Sequence, residues 1–150
     1  MSRGEIDVLI IEDDDFKRGE IESILNSVNV RSRTSSATSV QSAIAAVESS
    51  AFDCILLDIA LPSHNLRRGE GAPASMPSGG IEVLMELSYL ERRDPVVIVT
   101  QYPEVEIDGE FITLSRLERR LTQMMNANVK GVILFERHSD GWRDRLKIVL

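Results

Sequence analysis

Uninterrupted runs of β-branched and aliphatic residues alternate along the chain with stretches whose apolar residues recur every three or four positions. The first run, Asp7-Val8-Leu9-Ile10-Ile11, has the composition of a strand buried on both faces. It ends abruptly in Glu12-Asp13-Asp14-Asp15, and Ile21, Ile24, Leu25 and Val28 then share one helical face. A short polar strand is expected from Val30 to Thr34, and Val40, Ala43, Ile44 and Val47 mark a second helix. Cys54-Ile55-Leu56-Leu57 predicts a third strand ending at Asp58, and Ile81, Leu84, Leu87 and Leu90 a third helix. Val96-Val97-Ile98-Val99 predicts a fourth strand ending at Thr100. Ser115 with Glu118 has capping-box spacing, ahead of a helix whose apolar face is Leu117, Leu121, Met124 and Met125. Gly131 precedes a fifth strand, Val132-Ile133-Leu134-Phe135, and Trp142, Leu146 and Val149 predict a last helix.

Strands alternating with helices in this way predict an α/β fold, a flavodoxin-like doubly wound five-stranded parallel sheet with helices on both faces. The length of 150 residues suits one domain over 1–150. Two stretches, 62–79 and 102–112, show no clear core pattern and are read as surface insertions.

Composition narrows the function. A net charge of −7 repels phosphate backbones, so direct nucleic-acid binding is not expected. No apolar run approaches the roughly 20 residues of a membrane span, and the first residues lack a signal-peptide core, so a cytoplasmic protein is expected. The single cysteine, Cys54, cannot form an internal disulfide or a zinc site and reads as a buried apolar residue. His64 and His138 have no metal-ligand spacing and fall in loops.

In a doubly wound sheet, ligands bind at the carboxyl ends of the strands. Glu12 and Asp13, Asp58 and Thr100 occupy those ends here. Carboxylates gathered so closely repel unless a cation or a proton lies among them, and a hard divalent ion such as Mg²⁺ takes oxygen ligands. Such a pocket suits attack by a carboxylate on a small phosphodonor. The acidic run also suits a helix N-terminus, which favours negative charge, and Asp58 also suits a turn.

Val8 to Asp14 resembles the opening strand and acidic pair of response-regulator receiver domains. Phe52-Asp53-Cys54-Ile55-Leu56-Leu57-Asp58-Ile59-Ala60-Leu61-Pro62 resembles their phosphoacceptor strand, and Val96 to Thr100 their fourth strand with its switch hydroxyl. The resemblance implies phosphorylation of Asp58 by a histidine kinase or a phosphotransfer protein, in a two-component or phosphorelay system. It implies Mg²⁺ held by Asp13, Asp58 and the backbone carbonyl of Ala60, with Glu12 acting through water, and Thr100 at the phosphoryl group. No enzyme activity is implied beyond self-phosphorylation and autodephosphorylation at Asp58. Pairing of two copies through the face of helix four, strand five and helix five is also implied, with Leu114, Leu117 and Trp142 contributing.

Several positions depart from the family. Its lysine at the end of strand five falls on Phe135-Glu136. Arg137 is the nearest substitute, Lys130 comes too early, and arginine does not reproduce the compact charge of lysine. Gln101 stands where a small residue is usual, where it would crowd the pocket mouth. Val132 stands where the switch aromatic belongs, and Tyr102 is the nearest ring. The loop after Asp58 is long for the family. These departures support a second reading, an atypical receiver serving as a phosphorylation-independent interaction or dimerisation module. A third, a dehalogenase-type hydrolase using Asp13 and Asp15, lacks the later Asp-Asp pair its metal site needs.

Overall fold

The computed structural model describes residues 5–28, 31–62, 64, 75–76 and 79–150. Five parallel strands form the central sheet: β1 (Ile6–Ile11), β2 (Ser32–Ala37), β3 (Cys54–Leu57), β6 (Val96–Thr100) and β9 (Val129–Leu134). Their spatial order is β2-β1-β3-β6-β9, so chain order reverses between β1 and β3 and opens a crevice there at the carboxyl ends. The doubly wound sheet expected from the sequence is therefore present.

The pleat explains why Val8–Ile11 of β1, all of β3 and Val96–Val99 of β6 are apolar without interruption. Leu9, Ile11, Ile55, Leu57 and Ile98 point to the face covered by α2 (Val40–Ser49), α3 (Gly79–Tyr89) and α4 (Leu114–Met125). Val8, Ile10, Leu56, Val97 and Val99 point to the face covered by α1 (Asp15–Ser27) and α5 (Gly141–Val149). Trp142 and Leu146 of α5 are buried in that second core. Cys54 is buried as a free thiol.

The edge strands sit differently from the sequence expectation. β2 runs over Ser32–Ala37 and so continues past the expected Val30 to Thr34, of which Val30 lies outside the described residues; within it only Ala37 is fully buried, so hydrophobicity gave no register. At the opposite edge, β9 starts at Val129 and includes Lys130. The pairing with β6 shifts between Val96 and Val97, opposite Val129 and Gly131, and this irregularity accommodates the exposed Lys130.

The stretch 62–79 lies largely outside the described residues. Its ends meet in a short antiparallel ladder between β4 (Leu61–Pro62) and β5 (Ser75–Met76). The stretch 102–112 does have a core pattern, contrary to expectation. It is a β-hairpin of β7 (Glu104–Ile107) and β8 (Glu110–Thr113) that buries Val105, Ile107 and Ile112 against the α2–α3–α4 side. Asp108 (φ 52°) and Gly109 (φ 78°) make its two-residue turn, a left-handed pair for which Asp-Gly is suited.

β8 runs straight into α4. The helix therefore begins at Leu114 with Thr113 as an N-cap that makes no side-chain cap bond. Ser115 lies inside the helix with its hydroxyl 3.2 Å from that of Thr113, so the expected Ser115–Glu118 capping box does not form. Leu117 and Leu121 are buried as expected, whereas Met124 is exposed. Leu117 and Trp142 are buried in opposite cores and are not available to the α4–β9–α5 surface; Leu114 is half-buried.

Candidate functional site

Four elements bring their carboxyl-terminal or amino-terminal ends to the crevice. β1 delivers Glu12 and Asp13, β3 delivers Asp58, β6 ends on Thr100, and α1 begins just beyond the acidic run. Backbone bonds fix the first two: Glu12 N donates to Ala37 O at 3.0 Å, and Asp58 N donates to Ile11 O at 3.0 Å. The acidic run divides its labour. Asp14 is the N-cap of α1, accepting from Lys17 N at 3.1 Å, and Asp15 lies in the first turn. Glu12 and Asp13 remain for the pocket.

Carboxylate oxygens of Glu12, Asp13 and Asp58 all lie within 4.8 Å of one another. Glu12 and Asp58 are buried and Asp13 is exposed. Glu12 Oε1 accepts from Asp14 N at 3.0 Å, leaving Oε2 to face the cluster. Glu12 Oε2 and Asp58 Oδ1 are fully buried and make no hydrogen bond. Burial, with Asp58 beside it, raises the Glu12 carboxyl from its ordinary value of 4.5 to about 8, against the opposing pull of Lys17 and the Asp14 N–H. Burial also raises the Asp58 carboxyl, opposed by Lys17, with Asp13 adding to the rise and the Ala60 backbone opposing it.

A cation sits between the two buried acids that the sequence reading passed over. Lys17 Nζ lies 2.6 Å from Glu12 Oε2 and 3.4 Å from Asp58 Oδ1. The attraction is chiefly Coulombic. The ammonium also lies 5.8 Å from the centroid of the Phe135 ring. A signal was available: the stripe Ile21, Ile24, Leu25 and Val28, extended back by one turn, lands on Lys17.

Arg137, the substitute cation proposed from the sequence, does not reach the cluster. Its guanidinium lies 3.7 Å from Asp14 Oδ2 and stacks over Phe16 at 4.6 Å. Thr100 is fully buried, its Oγ1 accepting from Tyr102 N at 3.3 Å and its carbonyl accepting from Phe135 N at 2.7 Å. Gln101 is exposed, and its amide donates to the Tyr102 hydroxyl at 3.3 Å instead of entering the pocket. Val132 pairs with Ile98 in the sheet. Ala60 and Thr100 line a groove of about 310 Å³ whose far wall is the hairpin, through Tyr102, Val105 and Phe111.

The donor set fits a divalent metal on chemistry alone. Three carboxylates converge, and two of their oxygens are buried facing the Lys17 ammonium rather than a backbone donor, an all-oxygen set of the kind Mg²⁺ prefers. Among the described residues no histidine or thiolate joins the group, which argues against a zinc-type site.

Fold and site together are those of a signalling receiver, and the comparisons agree. The family model for the response regulator receiver domain matches residues 8–116, and the chain belongs to that family. Its acidic cluster resembles the family's phosphorylation site. The chain is 38% identical over 110 residues to the Detocs response regulatory protein DtcB of Vibrio alginolyticus, covering 72% of this chain and 74% of that protein. Among solved structures it resembles the phosphorylated cyanobacterial phytochrome response regulator RcpA, with a TM-score of 0.65 at 18% identity over 97% of this chain and 91% of that one. It also resembles the receiver domain of the sensor histidine kinase PA1611 from Pseudomonas aeruginosa PAO1, crystallised with magnesium in its active-site cleft. That match has a TM-score of 0.60 at 19% identity, over 97% of this chain and 94% of that one. No helix among the described residues is long and apolar enough to cross a membrane.

Proposed function

We propose that this chain is one receiver unit that accepts a phosphoryl group on Asp58, with a histidine kinase or a phosphotransfer protein as donor, in the cytoplasm. The observation that carries the reading is the buried Asp58 carboxylate within 4.8 Å of Glu12 and Asp13, at the crevice where β1 and β3 end. In the transfer, an Asp58 carboxylate oxygen attacks phosphorus, the bond from phosphorus to the donor's imidazole nitrogen (or to the acyl oxygen of acetyl phosphate) breaks with its electron pair going to that leaving atom, and an acyl phosphate remains on Asp58. Asp13, Asp58 and the Ala60 carbonyl would hold Mg²⁺, with Glu12 behind a water, and the ion would offset charge on the transferring group. Thr100 Oγ1 would donate to a phosphoryl oxygen, exchanging its present contact with Tyr102 N. The groove beside Ala60 and Thr100 leaves an approach for the donor. A second copy would meet the α4–β9–α5 face, with Leu114 the accessible residue of the three expected there.

The test is intact mass after incubation with acetyl phosphate, with and without Mg²⁺. A phosphoryl adduct that needs the metal is expected; an unmodified chain beside a modified control receiver would overturn the reading. One observation favours the alternative, a receiver that works as an interaction module without modification: the Lys17 ammonium already lies between the buried acids, beside the oxygens a metal would take. That reading predicts no adduct.

Metal binding has a pH signature. A Glu12 carboxyl raised to about 8 holds its proton at neutral pH, and a divalent ion entering the cluster displaces it. The affinity for Mg²⁺ is therefore expected to rise from about pH 6 to about pH 8 and to level off above, with proton release at neutral pH. Calorimetry in buffers of different ionisation heat measures both. An affinity flat across that window would show that Glu12 is ionised before the metal arrives.

A further inference from the structure

We infer that Lys17, delivered by helix α1, is the residue that contacts the phosphoryl group electrostatically in this chain, in the place the family fills from its fifth strand. The inference rests on the phosphoacceptor reading of Asp58.

Three observations carry it. First, the strand that would deliver the family's lysine ends here in an aromatic residue. Phe135 follows β9 directly, is held to Thr100 O through its own N–H at 2.7 Å, and is buried. Second, the ammonium nearest that ring comes from elsewhere: Lys17 Nζ is 5.8 Å from the Phe135 centroid and 3.4 Å from Asp58 Oδ1. A charge entering from α1 thus arrives beside the carboxylate, over the residue that replaced the strand's own cation. Third, Lys17 is 1% exposed, and its Nζ makes no hydrogen bond. Burial of an ammonium is tolerated where anions surround it, as Glu12 and Asp58 do here, and its three donors leave it able to take a further oxygen placed on Asp58.

The rest of the cluster completes the argument. Lys17 sits in the first turn of α1, whose start is pinned by Asp14, so the stem enters from a fixed point. Its long stem and three rotatable donors allow the ammonium to leave Glu12 and reach a new oxygen on Asp58, which a forked guanidinium on the same stem would not do in equal space. The other nearby basic groups point elsewhere: Arg137 is paired with Asp14, and Arg18 with Asp15 and the Glu12 carbonyl.

The competing role for Lys17 is static: neutralising Glu12 and Asp58 in the resting state and nothing more. The two roles separate by comparing a metal with a phosphoryl mimic. The experiment titrates wild-type protein and Lys17→Met with Mg²⁺ alone, then with beryllofluoride at saturating Mg²⁺, by calorimetry. Phosphoryl contact predicts that the variant binds Mg²⁺ at least as tightly as wild type, a competing cation having been removed, yet binds the mimic about 10–100-fold more weakly, the loss of one charged contact. Equal or tighter binding of the mimic by the variant would overturn the inference and leave the static role. Wild-type protein that binds no mimic would overturn the phosphoacceptor reading itself, and this inference with it. The Mg²⁺ isotherm shows that the variant retains a native site; if it is lost, Lys17→Gln repeats the comparison with an uncharged donor in place.

Discussion

Replacing Asp58 with asparagine is expected to abolish the phosphoryl adduct and, without metal, to make the fold about 1–2 kcal/mol more stable. The first effect is chemical: a carboxamide offers no anionic oxygen to attack phosphorus. The second follows from burial. The Asp58 carboxyl is held above its ordinary value of 3.8 chiefly because its charge is taken out of water. A group whose folded value is raised costs stability above its unfolded value, increasingly as pH climbs towards the folded one. Asparagine has no charge to bury, and Lys17 keeps its closer partner, Glu12, at 2.6 Å. The advantage of the variant should therefore grow as pH rises above about 4. Urea unfolding at several pH values, beside intact mass after acetyl phosphate, reads both effects. A variant that still gains the adduct would move the acceptor to another carboxylate, with Asp13 the first to examine. A variant less stable than wild type would mean that the Lys17–Asp58 attraction outweighs desolvation.

The second large effect concerns a residue with no side chain. Gly80, in the first turn of α3, donates its N–H to Ile59 O at 2.7 Å, so the helix start lies against the segment following the acceptor. A Cβ there would sit 2.5 Å from Asp58 O and 2.7 Å from Ile59 Cα. Both are backbone atoms and cannot rotate away. Gly80→Ala is expected to destabilise the fold by about 3 kcal/mol and to slow phosphoryl uptake, because relief requires moving the Asp58–Ala60 backbone. Unfolding and adduct formation measured on one preparation test the linkage. Full uptake with full stability would show that α3 retreats freely.

The sheet was legible because burial on both faces leaves an unmistakable signature: Val8 to Ile11, Ile55 to Leu57 and Val96 to Val99 have no polar interruption. Since those strands end at Glu12-Asp13, Asp58 and Thr100, the acidic pocket was legible with them. The edges were not. β2 exposes most of its side chains, so its boundaries had no pattern to follow. The hairpin did leave a signal. Val105 and Ile107 alternate with glutamates, and Asp108-Gly109 is a favoured two-residue turn, but glutamates on the outer face and the phenylalanine at 111 obscured it. Lys17 was missed for another reason. A lysine on an apolar stripe is ordinarily assigned to the solvent side, and only the three-dimensional approach of Glu12 and Asp58 supplies the charge that lets it turn inward.

The tilted packing of Phe135 against Trp142, with centroids 4.7 Å apart, gives the molecule an internal optical gauge. Trp142 is the chain's single tryptophan, so its emission is uncontaminated by other indoles. It rests on one side of a ring whose surroundings also include the Lys17 ammonium. Whatever displaces that charge alters the field across the ring and, one residue further, the environment of the indole. The protein thus carries its own unlabelled fluorophore within two side chains of the acidic cluster, and ligand entry is expected to change its emission in the unmodified sequence.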